Sequence, residues 1–217
     1  MTMIEEHIYK EYLSSLITGK RAHCHEIVNN TKDKTTIQDL YTQLFQESLY
    51  EVGRLWEYNQ VSVAVEHMAT AITESLMNTL YTDIIQSENK GFRAIISSAQ
   101  NEYHQVGAKM VADMFEMHGW DTCYLGANTP TNELIHFANT FNPHVIAISL
   151  SIYFHLSVLT EMIQTIRKKF KNCPILIGGQ AFKHGNGADY AGQFSDVLYV
   201  ASLDQLEKYI LTLEKQQ

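Results

Sequence analysis

Three short stretches carry residues whose types and spacing suit ligand capture. The first is Glu102-Tyr103-His104-Gln105-Val106-Gly107, which follows the apolar run 94–99. The second is Ser149-Leu150-Ser151, and the third is Gly178-Gly179, again after an apolar run. A histidine in a loop after a strand, with a glycine opening the next helix, is placed to meet a large ligand at the edge of a sheet. The spacing alone does not name that ligand.

The elements that must position these residues fall into two rhythms. In the first half Ile37, Leu40, Tyr41, Leu44, Phe45, Leu49, Val52, Leu55 and Trp56 recur mostly three and four residues apart. This spacing reads as one apolar face of a long helix. After a break at 57–60 the period resumes with Val65, Met68, Ala69, Ile72, Leu76, Leu80 and Ile84. Upstream, Ile4, Ile8, Tyr12, Leu13 and Leu16 mark a first helix ended near Gly19, and residues 21–30 a short second one. Four helices with short connections predict a small antiparallel bundle over residues 1–88.

The second half, residues 89–217, alternates strand and helix. Strands are expected at 93–99, 121–125, 144–150, 174–177 and 197–200, and helices at 107–118, 131–140, 156–170 and 202–213, with a weaker helical turn near 188–193. This alternation predicts an α/β, Rossmann-type, flavodoxin-like sheet of five parallel strands with helices on both faces. Ligands of open parallel sheets sit beyond the carboxyl ends of the strands, where strand order reverses. His104, Ser149 and Gly178-Gly179 all fall at or just past expected strand ends. Residues 87–91 read as the hinge between the halves.

Composition narrows the setting. The chain has 217 residues, 45% of them hydrophobic, and a formal charge of −8. An acidic balance disfavours nonspecific attraction to nucleic-acid phosphates. The basic run Arg167-Lys168-Lys169 lies late in an expected helix, where it suits the negative end of the helix dipole. The three cysteines, Cys24, Cys123 and Cys173, form neither a C-x-x-C pair nor a disulfide framework, so reduced thiols in a cytoplasmic protein are expected. No apolar signal core opens the sequence, and no stretch approaches the roughly 18 apolar residues that span a bilayer.

The pattern Glu102-x-His104-x-x-Gly107, Ser149-x-Ser151 and Gly178-Gly179, with residues 152–177 as spacer, resembles the cobalamin-binding domain of methionine synthase, mutases and corrinoid carriers. The resemblance covers the chain from about residue 90 onward. It implies that cobalamin is the cofactor, that His104 is the lower cobalt ligand in place of the cofactor's own dimethylbenzimidazole, and that the displaced nucleotide tail enters a slot between sheet and helices. The chemistry agrees: neutral imidazole suits cobalt, and its second ring nitrogen needs an orienting acceptor, which Glu102 can supply. Under the same resemblance Gly107 admits the tail close to backbone, Ser149 hydrogen-bonds its base, and Gly178 and Gly179 admit it at the fourth strand. The sequence departs from the family in two places. Glu102 stands where most members have Asp, and Ser151 where many have Leu, which makes that wall of the slot more polar.

The helical half carries a second resemblance. Trp56, then nine residues, then Glu66-His67 is similar to the pattern of light-responsive cobalamin photoreceptors, whose four-helix cap covers the upper face of adenosylcobalamin. It implies Trp56 against the adenosyl group, Glu66 on its ribose and His67 beside it, with Val63 as a further contact. Glu57 stands where the best-known photoreceptors have a histidine directly after the tryptophan, which excludes a bis-histidine photoproduct through that position. Those regulators carry an N-terminal DNA-binding domain. This chain begins at the cap, so no direct nucleic-acid partner is expected.

Each assignment has a plainer competitor. Trp56 alone would sit in a bundle core, Glu66 would be a solvated acid at a helix start, and Gly178-Gly179 would be a turn. His118, His136, His144, His155 and His184 carry no assignment beyond surface or loop roles. The expected function is an adenosylcobalamin sensor without chemistry on a substrate of its own, signalling to a transcription regulator or by self-association as a homo-oligomer. The alternative is a corrinoid carrier that holds methylcobalamin and serves a partner methyltransferase.

Overall fold

The computed structural model describes residues 3–85, 87–183 and 185–215, which leaves His184 outside the described residues. The chain forms two compact units, residues 1–83 and residues 84–217. The division falls at the end of a long helix, a few residues before the expected hinge at 87–91.

The first unit is helical. It holds α1 (Glu6–Ile17), α2 (Arg21–Lys32), α3 (Ile37–Asp39), α4 (Glu47–Glu57) and α5 (Val63–Ile84), with a π-helical stretch, Leu40–Gln46, joining α3 to α4 into one continuous rod. The Thr36 hydroxyl caps that rod by accepting from the Asp39 N–H at 3.0 Å. Tyr12, Leu16, Leu40, Tyr41, Leu44 and Phe45 are completely buried. The Phe45 ring lies 5.8 Å from both Tyr12 and Tyr41.

The expected stripe is kept at Leu40, Tyr41, Leu44, Phe45 and Val52, which are buried, and is broken at Ser48, buried in place of Leu49. Each π turn takes more residues, so side chains beyond it are rotated relative to a regular helix. Ser48 and Val52 are buried in α4, whereas Trp56, expected on the same stripe, is 47% exposed. In α5 the regular period holds, and Ala69, Ile72, Leu76, Leu80 and Ile84 are buried.

The second unit is a five-stranded parallel sheet. Its strands are β1 (Arg93–Ser98), β2 (Asp121–Tyr124), β3 (Val145–Ser149), β4 (Ile175–Gly178) and β5 (Val197–Tyr199), in the spatial order β2-β1-β3-β4-β5. Helices α6 (Val106–Met117), α7 (Thr131–Phe141), α8 (Leu156–Lys169), α9 (Gly187–Ala191) and α10 (Leu203–Glu214) alternate with them. Strands covered on both faces read as unbroken apolar runs. Accordingly Ala94, Ile95 and Ile96 of β1 and Val145, Ile146, Ala147 and Ile148 of β3 are all buried. The register sets Ser98 opposite Ser149, and Ser149 opposite Gly178, so three strands end level with one another. The basic run at the end of α8 works as a terminus: the Arg167 guanidinium donates to the carbonyls of Phe170, Lys171, Cys173 and Asp196.

The opposite end of the sheet holds a pH-sensitive contact. His144 Nδ1 accepts from the Arg93 N–H at 2.9 Å, and the imidazole sits edge-on to Phe92 at 5.5 Å. Burial, with Arg93 adding repulsion, lowers the His144 pKa below the ordinary 6.5. The unfolded chain therefore binds a proton that the folded chain resists. The contribution of this contact is complete above pH 6.5 and declines as pH falls below it, by at most ~1.4 kcal/mol per pH unit. His144→Asn keeps an acceptor but cannot titrate. Urea unfolding between neutral pH and mildly acidic pH should show a shallower loss of stability in that variant; identical slopes would discount the contact.

Candidate functional site

Strand order reverses between β1 and β3, which are neighbours although β2 follows β1 in sequence. The segments leaving these two strands therefore diverge and open a crevice. Both sequence motifs lie there: Glu102 to Gly107 runs from β1 into α6, and Ser149 to Ser151 runs from β3 toward the 3-10 turn Tyr153–His155.

The β1–α6 loop is fastened at several points. The Ala99 N–H donates to the Ser149 carbonyl at 2.9 Å, and the Asn128 N–H to the Glu102 carbonyl at 2.9 Å. Asn101 takes a left-handed conformation, and its N–H is met by Asn128 Oδ1 at 2.9 Å. The Ser98 hydroxyl donates to the His104 carbonyl at 2.9 Å.

Glu102 is the centre of this arrangement and is fully buried. Its Oε1 accepts from the His104 N–H at 3.0 Å and from His104 Nδ1 at 2.5 Å. Its Oε2 accepts from the N–H groups of Ser151 and Ile152, each at 2.9 Å. Burial alone would raise the carboxyl pKa. The donors from His104, Ile152 and Ser151 outweigh burial and hold it down at about 2. An ionised carboxylate only accepts, so His104 Nδ1 carries a proton toward it. The His104 side chain is 55% exposed. The result is an oriented imidazole presented at a crevice; with Nε2 deprotonated it has the form in which histidine ligates a metal. The glutamate, a methylene longer than the family's aspartate, keeps its contact with the histidine. Ser151 contributes its backbone N–H to Glu102.

The glycines divide by cause. A Cβ on Gly178 would run into the Val200 carbonyl, and one on Gly179, where φ is +110°, into the Leu150 backbone. Both therefore have reasons inside the chain's own packing. Gly107 has none: a Cβ there would meet only Ser149 Oγ at 3.8 Å, an ordinary contact. A glycine in the first turn of α6 costs roughly 0.5–1 kcal/mol relative to alanine, and the chain's own packing gives no reason for it. Gly107→Ala should therefore raise the stability of the protein without cofactor by about that amount and weaken cobalamin binding, as thermal melts and a cobalamin titration would show. Unweakened binding would count against passage of the nucleotide tail beside Gly107.

The first unit presents its candidate residues at adjoining helix ends. Trp56 lies near the end of α4, and Val63 opens α5 and is 48% exposed. Glu66 accepts from the Thr70 hydroxyl at 3.2 Å and lies 3.6 Å from His67 Nε2.

The sequence did not assign His155. It lies in the turn after β3 with its Nδ1 3.9 Å from Glu102 Oε2. Its only sequence signal was its position a few residues past Ser151. Among the described residues, no group of three or more His, Cys, Asp or Glu side chains is disposed to hold a metal ion. No described helix is long and apolar enough to cross a membrane.

A switch-point crevice with one oriented histidine and a backbone open at Gly107 defines a cofactor-binding α/β protein. Two family models, each described as a B12 binding domain, match residues 92–197 and residues 8–81. Together they span most of the chain, which belongs to the B12-binding domain family, and its cofactor is cobalamin. The chain is 20% identical to dimethylamine corrinoid protein 3 of Methanosarcina acetivorans over 201 residues, covering 89% of this chain and 94% of that one. Its fold is similar to that of the Methanosarcina barkeri monomethylamine corrinoid protein, with a TM-score of 0.81 at 14% identity over 97% of this chain and 100% of that one. It is also similar to a chain of the methanol:cobalamin methyltransferase complex of M. barkeri, with a TM-score of 0.54 at 13% identity, covering 99% and 82% of the two chains.

Proposed function

We propose that this protein is a corrinoid carrier that holds cobalamin through His104 and presents it to a methyltransferase partner. The observation that carries the reading is the match to a corrinoid protein along nearly the full length of both chains, helical unit included. The fold of a second corrinoid protein, matched over its whole length, supports it. Bound cobalamin would supply a cobalt able to accept and surrender a methyl group. The chain's own residues do the rest. Glu102 fixes the tautomer and direction of His104, Gly107 and Ser149 border the passage for the nucleotide tail, and Trp56 and Val63 offer apolar surface on the helical unit.

The sensor reading keeps one observation in its favour, the spacing of Trp56, Glu66 and His67. Glu57 in place of a histidine and the corrinoid proteins among the relatives weigh toward the carrier. Reconstitution with methylcobalamin and, separately, adenosylcobalamin decides between them, with spectra and oligomer size recorded before and after green light. A carrier binds methylcobalamin and keeps its oligomer size on illumination. Selective uptake of adenosylcobalamin with a light-driven change of size would overturn the carrier reading.

A further inference from the structure

We propose that His155 is a reserve hydrogen-bond donor to Glu102, a second imidazole that takes up the carboxylate when His104 releases it. The geometry belongs to the chain alone; only its consequence for cobalt ligation rests on the cobalamin reading.

With His104 in place, Glu102 has four donors, two on each oxygen. His155 is the fifth. Its Nδ1 is buried, has no hydrogen-bond partner among the described residues, and faces Oε2 from 3.9 Å, just beyond hydrogen-bond range. A buried ring nitrogen without a partner costs about 1–3 kcal/mol, and such an atom in a folded protein calls for an explanation. Facing an anionic oxygen, the lone pair of Nδ1 would be repelled, so the tautomer with Nδ1–H is favoured.

The backbone makes the second partnership attainable. His155 ends the turn that begins just after Ile152, whose N–H already rests on Oε2, and the His155 N–H donates to the Ile152 carbonyl at 3.0 Å. A shift of about 1 Å in the ring brings Nδ1 within reach of Oε2. When the His104 ring turns away, Oε1 keeps only the His104 backbone N–H. The carboxylate is then under-compensated, and its attraction for the His155 proton rises. His155 thereby stabilises the arrangement in which His104 has let go. It is a positioning residue, setting the balance between an engaged and a released His104.

The first test needs no cofactor. Protein with 15N-labelled histidine is compared with the His104→Ala variant by long-range 1H–15N correlation at mildly alkaline pH. The expected result is an Nδ1–H tautomer for His155 in the wild type, with its proton moved downfield in His104→Ala. An Nε2–H tautomer, or an Nδ1 proton that stays where it was, would overturn the proposal. The second test uses protein loaded with cob(II)alamin and reads nitrogen splitting in the EPR spectrum. In His155→Phe the ratio of nitrogen-ligated to unligated cobalt should rise about fivefold, the equivalent of one hydrogen bond. His155→Gln, which retains a donor, should stay near the wild type. Equal ratios in all three proteins would overturn the role. Failure of the wild-type protein itself to bind cobalamin would instead sink the cofactor reading, and the measurement without cofactor would still decide whether His155 answers to Glu102.

Discussion

Glu102→Ala should cost the sheet unit on the order of 3 kcal/mol, measured by urea unfolding of the protein without cofactor. The substitution leaves the N–H groups of His104, Ser151 and Ile152 without their acceptor at a buried position, each worth about 1 kcal/mol or more when unmet. It also removes the acceptor that fixes the His104 tautomer. The damage reaches further than one loop, because the two oxygens tie the segment after β1 to the segment after β3. Glu102→Gln separates shape from charge. The amide fills the same space but must turn its NH2 toward one pair of donors, so an intermediate loss is expected. A change within about 0.5 kcal/mol for the alanine variant would mean that water replaces the carboxylate at little cost, and that Glu102 does not organise the site.

The same carboxylate shows what was legible in the sequence. The spacing Glu102-x-His104-x-x-Gly107 after an apolar run placed the candidate histidine in the loop between β1 and α6, since strand and helix patterns were both strong there. Level strand ends brought Ser149 and Gly178 into one row, as alternating strand and helix implied. The part played by His155 was not legible, because it depends on a turn folding back over Oε2, a long-range contact with no periodic signature. Gly178 and Gly179 were read as making room for a ligand, whereas backbone atoms of the chain itself occupy the space their side chains would need. In the helical unit the period of three and four held through α5 and at Leu40, Tyr41, Leu44, Phe45 and Val52, but past the π winding Ser48 is buried where Leu49 was expected, and Trp56 lies exposed. A one-residue change of winding carries no residue-type signal.

His104→Ala should give the opposite profile to Glu102→Ala: stability nearly kept, cobalt ligation lost. The His104 ring is more than half exposed, and changes at such positions usually stay within about 0.5 kcal/mol. The backbone N–H of residue 104 still reaches Oε1, and Ser151 and Ile152 still hold Oε2, so the loop keeps three of the four bonds around the carboxylate. The ligand function has no such redundancy. The variant loaded with cob(II)alamin should lack the nitrogen splitting of a coordinated imidazole, and its affinity for cobalamin should fall by at least the ~10–100-fold that loss of a mere outer partner costs a metal site. Histidine supplied as free imidazole should restore the nitrogen signal in part, because the crevice that admitted the ring remains. Nitrogen coordination that survives unchanged in this variant, without added imidazole, would show that another group holds the metal and that the oriented pair of Glu102 and His104 serves the fold alone.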